Sequence, residues 1–230
     1  MLNSTIPTKI AVKICGLTLP EQAIAIAQMG VSALGFISVP HSPRYVPAAT
    51  IAEICRQLPS SVLTVAVVAN LNLDALVNLV TTTGVQAVQL HGNESAAFCQ
   101  QVRHALPDRV LIKALRVRSA ATLAEIPAYA PTVDRILLDA YHPQQLGGTG
   151  QPFDWTLLKE LQVSCPWWLA GGITPENCRQ AIAQTQPQGI DLASGVEIQP
   201  GVKDLGRVAT LLRNLGINAE HPSHPEGRRF

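Results

Sequence analysis

The chain has 230 residues, 47% hydrophobic and only 14% charged, with a formal net charge of +1. Near neutrality without a basic stripe argues against nucleic acid or an anionic membrane as partner, and the length suits one large core. The five cysteines (Cys15, Cys55, Cys99, Cys165 and Cys178) are odd in number and form no CxxC pair, which reads as reduced thiols in a soluble, cytoplasmic protein rather than a disulfide framework.

In chain order, the opening "MLNSTIPTKI" lacks the basic start and apolar run of a secretory signal. A β-branched run predicts a strand over Ile10–Cys15. The helical pattern "LPEQAIAIAQMG" follows and is stopped by Gly30. Strands over Ala33–Ile37 and Val62–Ala69 lead into the helical stretches "VPAATIAEICRQL" and "LDALVNLVTTTG", the latter stopped by Gly84. The third strand lies in "SVLTVAVVAN", the most apolar stretch, which is too short to span a bilayer. A strand over Ala87–Leu90 precedes the helix "ESAAFCQQVRHAL", and strands over Val110–Leu115 and Arg135–Asp139 come next. The stretch "FDWTLLKELQ" reads as an amphipathic helix with Trp155 on its core face. After a strand over Trp167–Leu169, "TPENCRQAIAQT" begins as a helix should: Thr174 as N-cap, Pro175 and Glu176 in the first turn. The last strand covers Gly189–Leu192, and the polar tail "NAEHPSHPEGRRF" is expected to be disordered.

Strands alternating with helices imply a parallel sheet. Eight such units are the count of a closed (β/α)8 TIM barrel, here a single α/β domain over residues 1–217 with a tail at 218–230. A doubly wound open sheet would want a phosphate turn after its first strand, and "ICGLTLPE" is neither GxGxxG nor GxxxxGK[ST].

Active sites of closed barrels lie at the C-terminal ends of the strands. Those ends carry Cys15-Gly16, Arg44 in "SVPHSPRYV", "QLHG", "LLDA", "LAGGI" and "DLASG". By strand alternation Cys15 shares a face with Lys13, and Asp191 points opposite to Leu192. With Cys15, Asp139 and Asp191 turned into the barrel mouth, an acid and a base can flank one small molecule. The glycines of the last two loops (Gly171, Gly172 and Gly195, with Ser194) permit close backbone approach and offer N–H groups to a phosphate, helped by a short extra turn within "GVEIQPGVKD".

The stretches "VKICGLT", "SPRYV", "VQLHGNE", "ILLDAYHPQQLGGTGQPFDW", "LAGGITPENC" and "GIDLASGVEIQPGVKD", in this order, resemble phosphoribosylanthranilate isomerase of tryptophan biosynthesis over almost the whole chain. The resemblance implies a cofactor-free Amadori rearrangement of N-(5-phosphoribosyl)anthranilate to the 1-deoxyribulose 5-phosphate derivative by general acid–base catalysis. It implies Cys15 as the base that takes the C2 proton and Asp139 as the acid that protonates the ring oxygen. Arg44 would hold the anthranilate carboxylate, His91 and Asp191 would line the cavity, and Gly171, Gly172, Ser194 and Gly195 would hold the phosphate. Ala193 stands where many relatives carry serine, which bears on phosphate affinity rather than on the chemistry. The implied partner is a small phosphoribosyl substrate, bound by a monomer or homodimer.

An ordinary carboxyl is almost wholly ionised at neutral pH and an ordinary thiol only a few per cent ionised. The barrel mouth is therefore expected to shift both, with Lys13 favouring the thiolate. Other residues have blander readings. Lys113, mid-strand in "VLIKAL", is where an aldolase would keep a Schiff-base lysine, but it reads as an interior lysine paired with a carboxylate. The histidines His41, His104, His142, His221 and His224 are isolated, so no metal site is expected. "LGGTG" reads as a flexible loop or lid, the remaining four cysteines as packing residues, and Glu53 and Arg56 as a solvated helix face. The rivals are an aldolase or the histidine-pathway isomerase on the same scaffold, and a phosphosugar-binding sensor. The second would pair two aspartates, and the sensor would not need both Cys15 and Asp139.

Overall fold

The computed structural model describes residues 10–139, 155–158 and 161–217. The "LGGTG" loop, His142, His221, His224 and the tail from 218 onward lie outside them.

Eight strands close into a parallel barrel in sequential order: β1 (Ala11–Cys15), β2 (Ala33–Ile37), β3 (Leu63–Val68), β4 (Ala87–Leu90), β5 (Val110–Arg116), β6 (Arg135–Asp139), β7 (Trp167–Ala170) and β8 (Gly189–Leu192). Closure comes from β8 pairing with β1, with Lys13 beside Asp191 in register. The outer layer contains α1 (Pro20–Gln28), α2 (Ala48–Gln57), α3 (Leu73–Thr83), α4 (Ala96–Ala105), two short helices α5 (Ala120–Leu123) and α6 (Ile126–Tyr129), then α7 (Cys178–Thr185) and α8 (Leu205–Asn214). A small antiparallel ladder, β9 (Glu197–Gln199) with β10 (Val202–Lys203), follows β8.

The strands are buried on both sides, which is why they read as near-continuous apolar runs. Alternate residues serve two cores. Ala33, Val65, Ala87, Ile112, Ala114, Leu137, Trp168 and Ala170 fill the barrel interior, while Val12, Leu34, Val88, Leu138 and Ile190 pack outward in the large cluster shared with the helices.

Local chemistry accounts for the helix ends. Asn72 accepts the Ala75 N–H at 2.8 Å to cap α3, and Gly84 ends it at φ 68°. Gly30 follows α1 at φ 88°, so both glycines stop their helices in the left-handed region. Three elements depart from the expected pattern. The helix of "TPENC" begins at Cys178, not after Thr174. Thr174 instead closes a turn: its Oγ1 accepts the Glu176 N–H, and Asn177 accepts the Thr174 N–H at 2.8 Å. Asn177 also donates to the Gly172 carbonyl at 2.8 Å, tying this turn to the glycine loop. In "FDWTLLKELQ" the described residues are 155–158 and 161–162, and Trp155–Leu158 form a 3₁₀ turn rather than an α-helix. That geometry places i and i+3 on one face, and Trp155 and Leu158 are both buried. The extra turn expected in "GVEIQPGVKD" falls on Ser194–Val196, and the following residues form the β9–β10 ladder.

Candidate active site

Cys15 ends β1 and Asp139 ends β6, each on the strand face that lines the barrel interior. Beneath them, Lys13 Nζ donates to Asp191 Oδ2 at 2.8 Å, both groups buried. Asp191 Oδ1 is buried and has no hydrogen-bond partner, so the carboxylate keeps an acceptor for a ligand hydroxyl. Burial opposes the Lys13 charge, but Asp191 and Cys15 outweigh it and hold the ammonium above the ordinary lysine value.

Lys13 favours the thiolate of Cys15 as expected, but the expected net shift toward the thiolate is overturned. Burial pushes the Cys15 thiol up, Lys13 pulls it down, and Asp191 adds to the rise, so it sits above the ordinary thiol value. The charge of Lys13 is already largely countered by the carboxylate 2.8 Å away, and desolvation of a thiolate then wins. Room for the two groups comes from Gly35, the register partner of Cys15 on β2. A Cβ there would lie 2.8 Å from the Cys15 sulfur and 3.0 Å from Lys13 Nζ. Sequence reasoning missed this residue, although a glycine inside a strand marks close approach.

His91, just past β4, joins Asp139: its Nε2 lies 3.5 Å from Asp139 Oδ2, each side chain 23% exposed. On its other side, His91 Nδ1 is 2.9 Å from Gln89 Nε2. With the Gln89 amide nitrogen set toward Nδ1, the ring proton falls on Nε2 and faces Asp139. Gln89 stands in the quoted "QLHG" motif and was not singled out; strand alternation with His91 was the available signal.

Arg44 is held more firmly than the sequence suggested. Glu197 accepts from its Nε at 2.9 Å and from its Nη2 at 2.6 Å. A guanidinium carries five N–H groups, so the Nη1–Nη2 edge stays available for a second carboxylate. Glu197 was not among the expected site residues. Burial would raise its pKa, but Arg44 and Lys203 outweigh that and hold the carboxyl below the usual range.

The two glycine loops lie side by side. Gly171 (φ 87°) and Gly172 (φ 64°) adopt left-handed backbone, and Gly172 has open space where a side chain would be. Gly195 is required for another reason: a Cβ would sit 1.9 Å from the Ile173 carbonyl oxygen. Ser194 begins the 3₁₀ turn after β8, whose Gly195 carbonyl accepts from Arg207 Nε at 3.0 Å.

Lys113 does not reach the site. Its neighbours Ile112 and Ala114 line the interior, so Lys113 faces the helix layer, where it donates to Glu94 at 2.8 Å and to the Gly92 carbonyl at 2.8 Å. The aldolase reading falls, and the lysine–carboxylate pair is what stands there. Glu94 also accepts the Asn70 and Gly92 N–H groups, joining the loops after β3 and β4. Burial opposes its ionisation, but Lys113 and Asn70 prevail and hold its pKa low. The pair's stabilisation is therefore present above the unfolded value near about 4.3 and is lost as pH falls through the lower folded value. Lys113→Ala is expected to cost about 3–5 kcal/mol, since it strands a buried carboxylate. Urea unfolding at neutral pH checks this, and the deficit relative to wild type should shrink in acid.

The remaining cysteines behave as packing residues: Cys99 and Cys178 are buried on α4 and α7, and all five thiols are free. Glu53 and Arg56 are exposed on α2. Among the described residues no group of three or more His, Cys, Asp or Glu side chains could hold a metal ion, and no helix is long and apolar enough to cross a membrane.

A closed parallel barrel with its polar and charged groups gathered at the C-terminal rim defines the class: a (β/α)8-barrel enzyme. A profile of the family described as N-(5'phosphoribosyl)anthranilate (PRA) isomerase matches residues 12–214, so the chain belongs to that family and is an isomerase of tryptophan biosynthesis. It is 84% identical to the N-(5'-phosphoribosyl)anthranilate isomerase of Thermosynechococcus vestitus over 230 residues, 100% of both chains. The phosphoribosyl anthranilate isomerase structure from Thermotoga maritima superposes with a TM-score of 0.83 at 32% identity, covering 90% of this chain and 99% of that one. A second isomerase structure, in complex with reduced 1-(o-carboxyphenylamino)-1-deoxyribulose 5-phosphate, matches with a TM-score of 0.78 at 30% identity, covering 92% and 98%.

Proposed function

We propose that the isomerisation runs on Asp139 as general acid and Cys15 as general base. Asp139 gives its proton to the ring oxygen as the bond from that oxygen to C1 breaks, leaving a protonated Schiff base at C1. The thiolate of Cys15 takes the C2 proton, and the C2–H electron pair becomes the double bond of an enolamine. Protonation at C1 and loss of the hydroxyl proton at C2 complete the ketose. The sum is an internal transfer that consumes no oxidant or reductant. The observation that supports this assignment best is the shared interior face of Cys15 and Asp139 at the rim, above the buried Lys13–Asp191 pair.

Arg44 receives the anthranilate carboxylate on its Nη1–Nη2 edge, since Glu197 already occupies the other side. Asp191 Oδ1, buried without a partner, accepts a ribosyl hydroxyl. His91 lines the cavity beside Asp139, and the phosphate lies against Gly171, Gly172, Ser194 and Gly195. The histidine-pathway isomerase and the binding sensor find no comparable support. A cytoplasmic location accords with a biosynthetic enzyme whose thiols are free.

The test is the fluorescence change as the anthranilate conjugate is consumed, followed with purified protein and no added metal. Arg44→Ala is expected to raise KM about 10–100-fold, the worth of a charge-assisted hydrogen bond. An unchanged KM would put the aromatic acid elsewhere.

A further inference from the structure

Glu197 and Lys203 take no part in the proton transfers above, yet they touch Arg44, the backbone of Cys15 and the residue before Ser194-Gly195. They stand opposite one another in the β9–β10 ladder, and Lys203 Nζ donates to Glu197 Oε1 at 2.7 Å. The same carboxylate holds the Arg44 guanidinium and accepts the Gly201 N–H at 3.1 Å. The same ammonium donates to the carbonyl of Cys15 and, at 3.4 Å, to that of Ala193, the residue before Ser194-Gly195. The ladder is sewn to the first βα unit: the Gln22 side-chain amide accepts the Lys203 N–H and donates to the Lys203 carbonyl, both at 2.8 Å, and Thr18 Oγ1 donates to the Gly201 carbonyl at 2.7 Å.

From this arrangement we infer that Glu197 and Lys203 are positioning residues, a strap that holds the carboxylate anchor, the backbone of the base and the phosphate loop in one frame. The inference rests on the roles proposed for Cys15 and Arg44. Both groups are almost fully buried, their side chains 4% and 0% exposed. Charges so placed persist only when paired and hydrogen-bonded, and these bonds reach the substrate site at three places, Arg44, Cys15 and Ala193. Glu197 fixes the plane of the Arg44 fork by taking Nε and Nη2, so the edge turned to the substrate is set before it arrives. One carboxylate between two cations leaves the cluster with a surplus positive charge, which suits an anionic substrate.

The test is steady-state kinetics on the full-length enzyme. Glu197→Asp keeps the charge but withdraws it by one methylene, so it no longer spans both cations. It is expected to raise KM for phosphoribosylanthranilate about 10-fold or more, as a charge-assisted contact to the anchor is lost. In an Arg44→Ala background the same change should add less than about twofold, because residues acting through one contact are not additive. Lys203→Met is expected to act the other way, lowering kcat about 10-fold with a smaller rise in KM. Glu197→Gln, read identically, covers the case in which the shorter side chain does not fold. Equal KM effects of Glu197→Asp with and without Arg44 overturn the strap, because a merely structural role would act independently of the anchor. If Arg44→Ala raises KM and Glu197→Asp, folded by circular dichroism, does not, the strap alone falls. If Arg44→Ala leaves KM unchanged, the anchor assignment falls and takes the strap with it.

Discussion

Asparagine in place of Asp139 is expected to lower kcat by about 10²–10⁴-fold, the usual worth of a positioned general acid. The substitution is isosteric and keeps an oxygen for the contact with His91 Nε2, 3.5 Å away. What it removes is the transferable proton, so ring opening would have to proceed by expelling an alkoxide-like oxygen. The loss corresponds to about 3–5 kcal/mol of transition-state stabilisation. Because the acid acts at the sugar rather than at the carboxylate or phosphate ends, KM should stay within about threefold. Stopped or steady-state fluorescence on the purified variant checks both numbers. A kcat within about twofold of wild type would remove Asp139 from the mechanism.

Cys15→Ala should be nearly as damaging, with a loss of about 10²–10⁴-fold in kcat, and the pH dependence of a variant without the acid carries a second signature of the same residue. Burial lifts the thiol above its ordinary value, and the Lys13–Asp191 pair does not bring it back. At neutral pH only a small fraction of the free enzyme holds the thiolate. With the acid's own titration removed by Asp139→Asn, that fraction alone sets the pH dependence, so the residual kcat/KM of the variant should climb about tenfold per pH unit through the neutral range. The plateau should lie above the usual thiol value of about 8.5. The pH dependence of kcat/KM for Asp139→Asn, measured beside the Asp139→Asn/Cys15→Ser double variant, tests this. A flat Asp139→Asn profile across neutrality would exclude Cys15 as the base in the free enzyme.

The pairings that explain these numbers are remote in sequence. Lys13 and Asp191 meet only because β8 closes on β1, and Arg44 meets Glu197 only because the segment after β8 folds back over the loop after β2. No local pattern announces either contact. The same blindness produced the wrong expectation for the thiol. Strand alternation correctly put Lys13 on the face of Cys15, where it favours the thiolate, but the net direction is set by desolvation, which a local pattern does not carry. Gly35, Glu197 and Lys203 were missed for a related reason: each acts on a neighbour from another element.

Much was nevertheless legible in the sequence by itself. The eight strands, their interior faces, the clustering of Cys15, Asp139, His91 and Asp191 at one rim, and the exclusion of Lys113 from simple solvent exposure all follow from local signals. Period-2 alternation, left-handed glycines and apolar runs act between near neighbours, so they survive in a one-dimensional reading. Tertiary structure alone decided the charge state of the buried thiol, the outward turn of Lys113 and the prior engagement of Arg44. Those depend on desolvation and on ion pairs across closed strands and folded-back loops, and such energies exist only once distant segments are brought within a few ångströms.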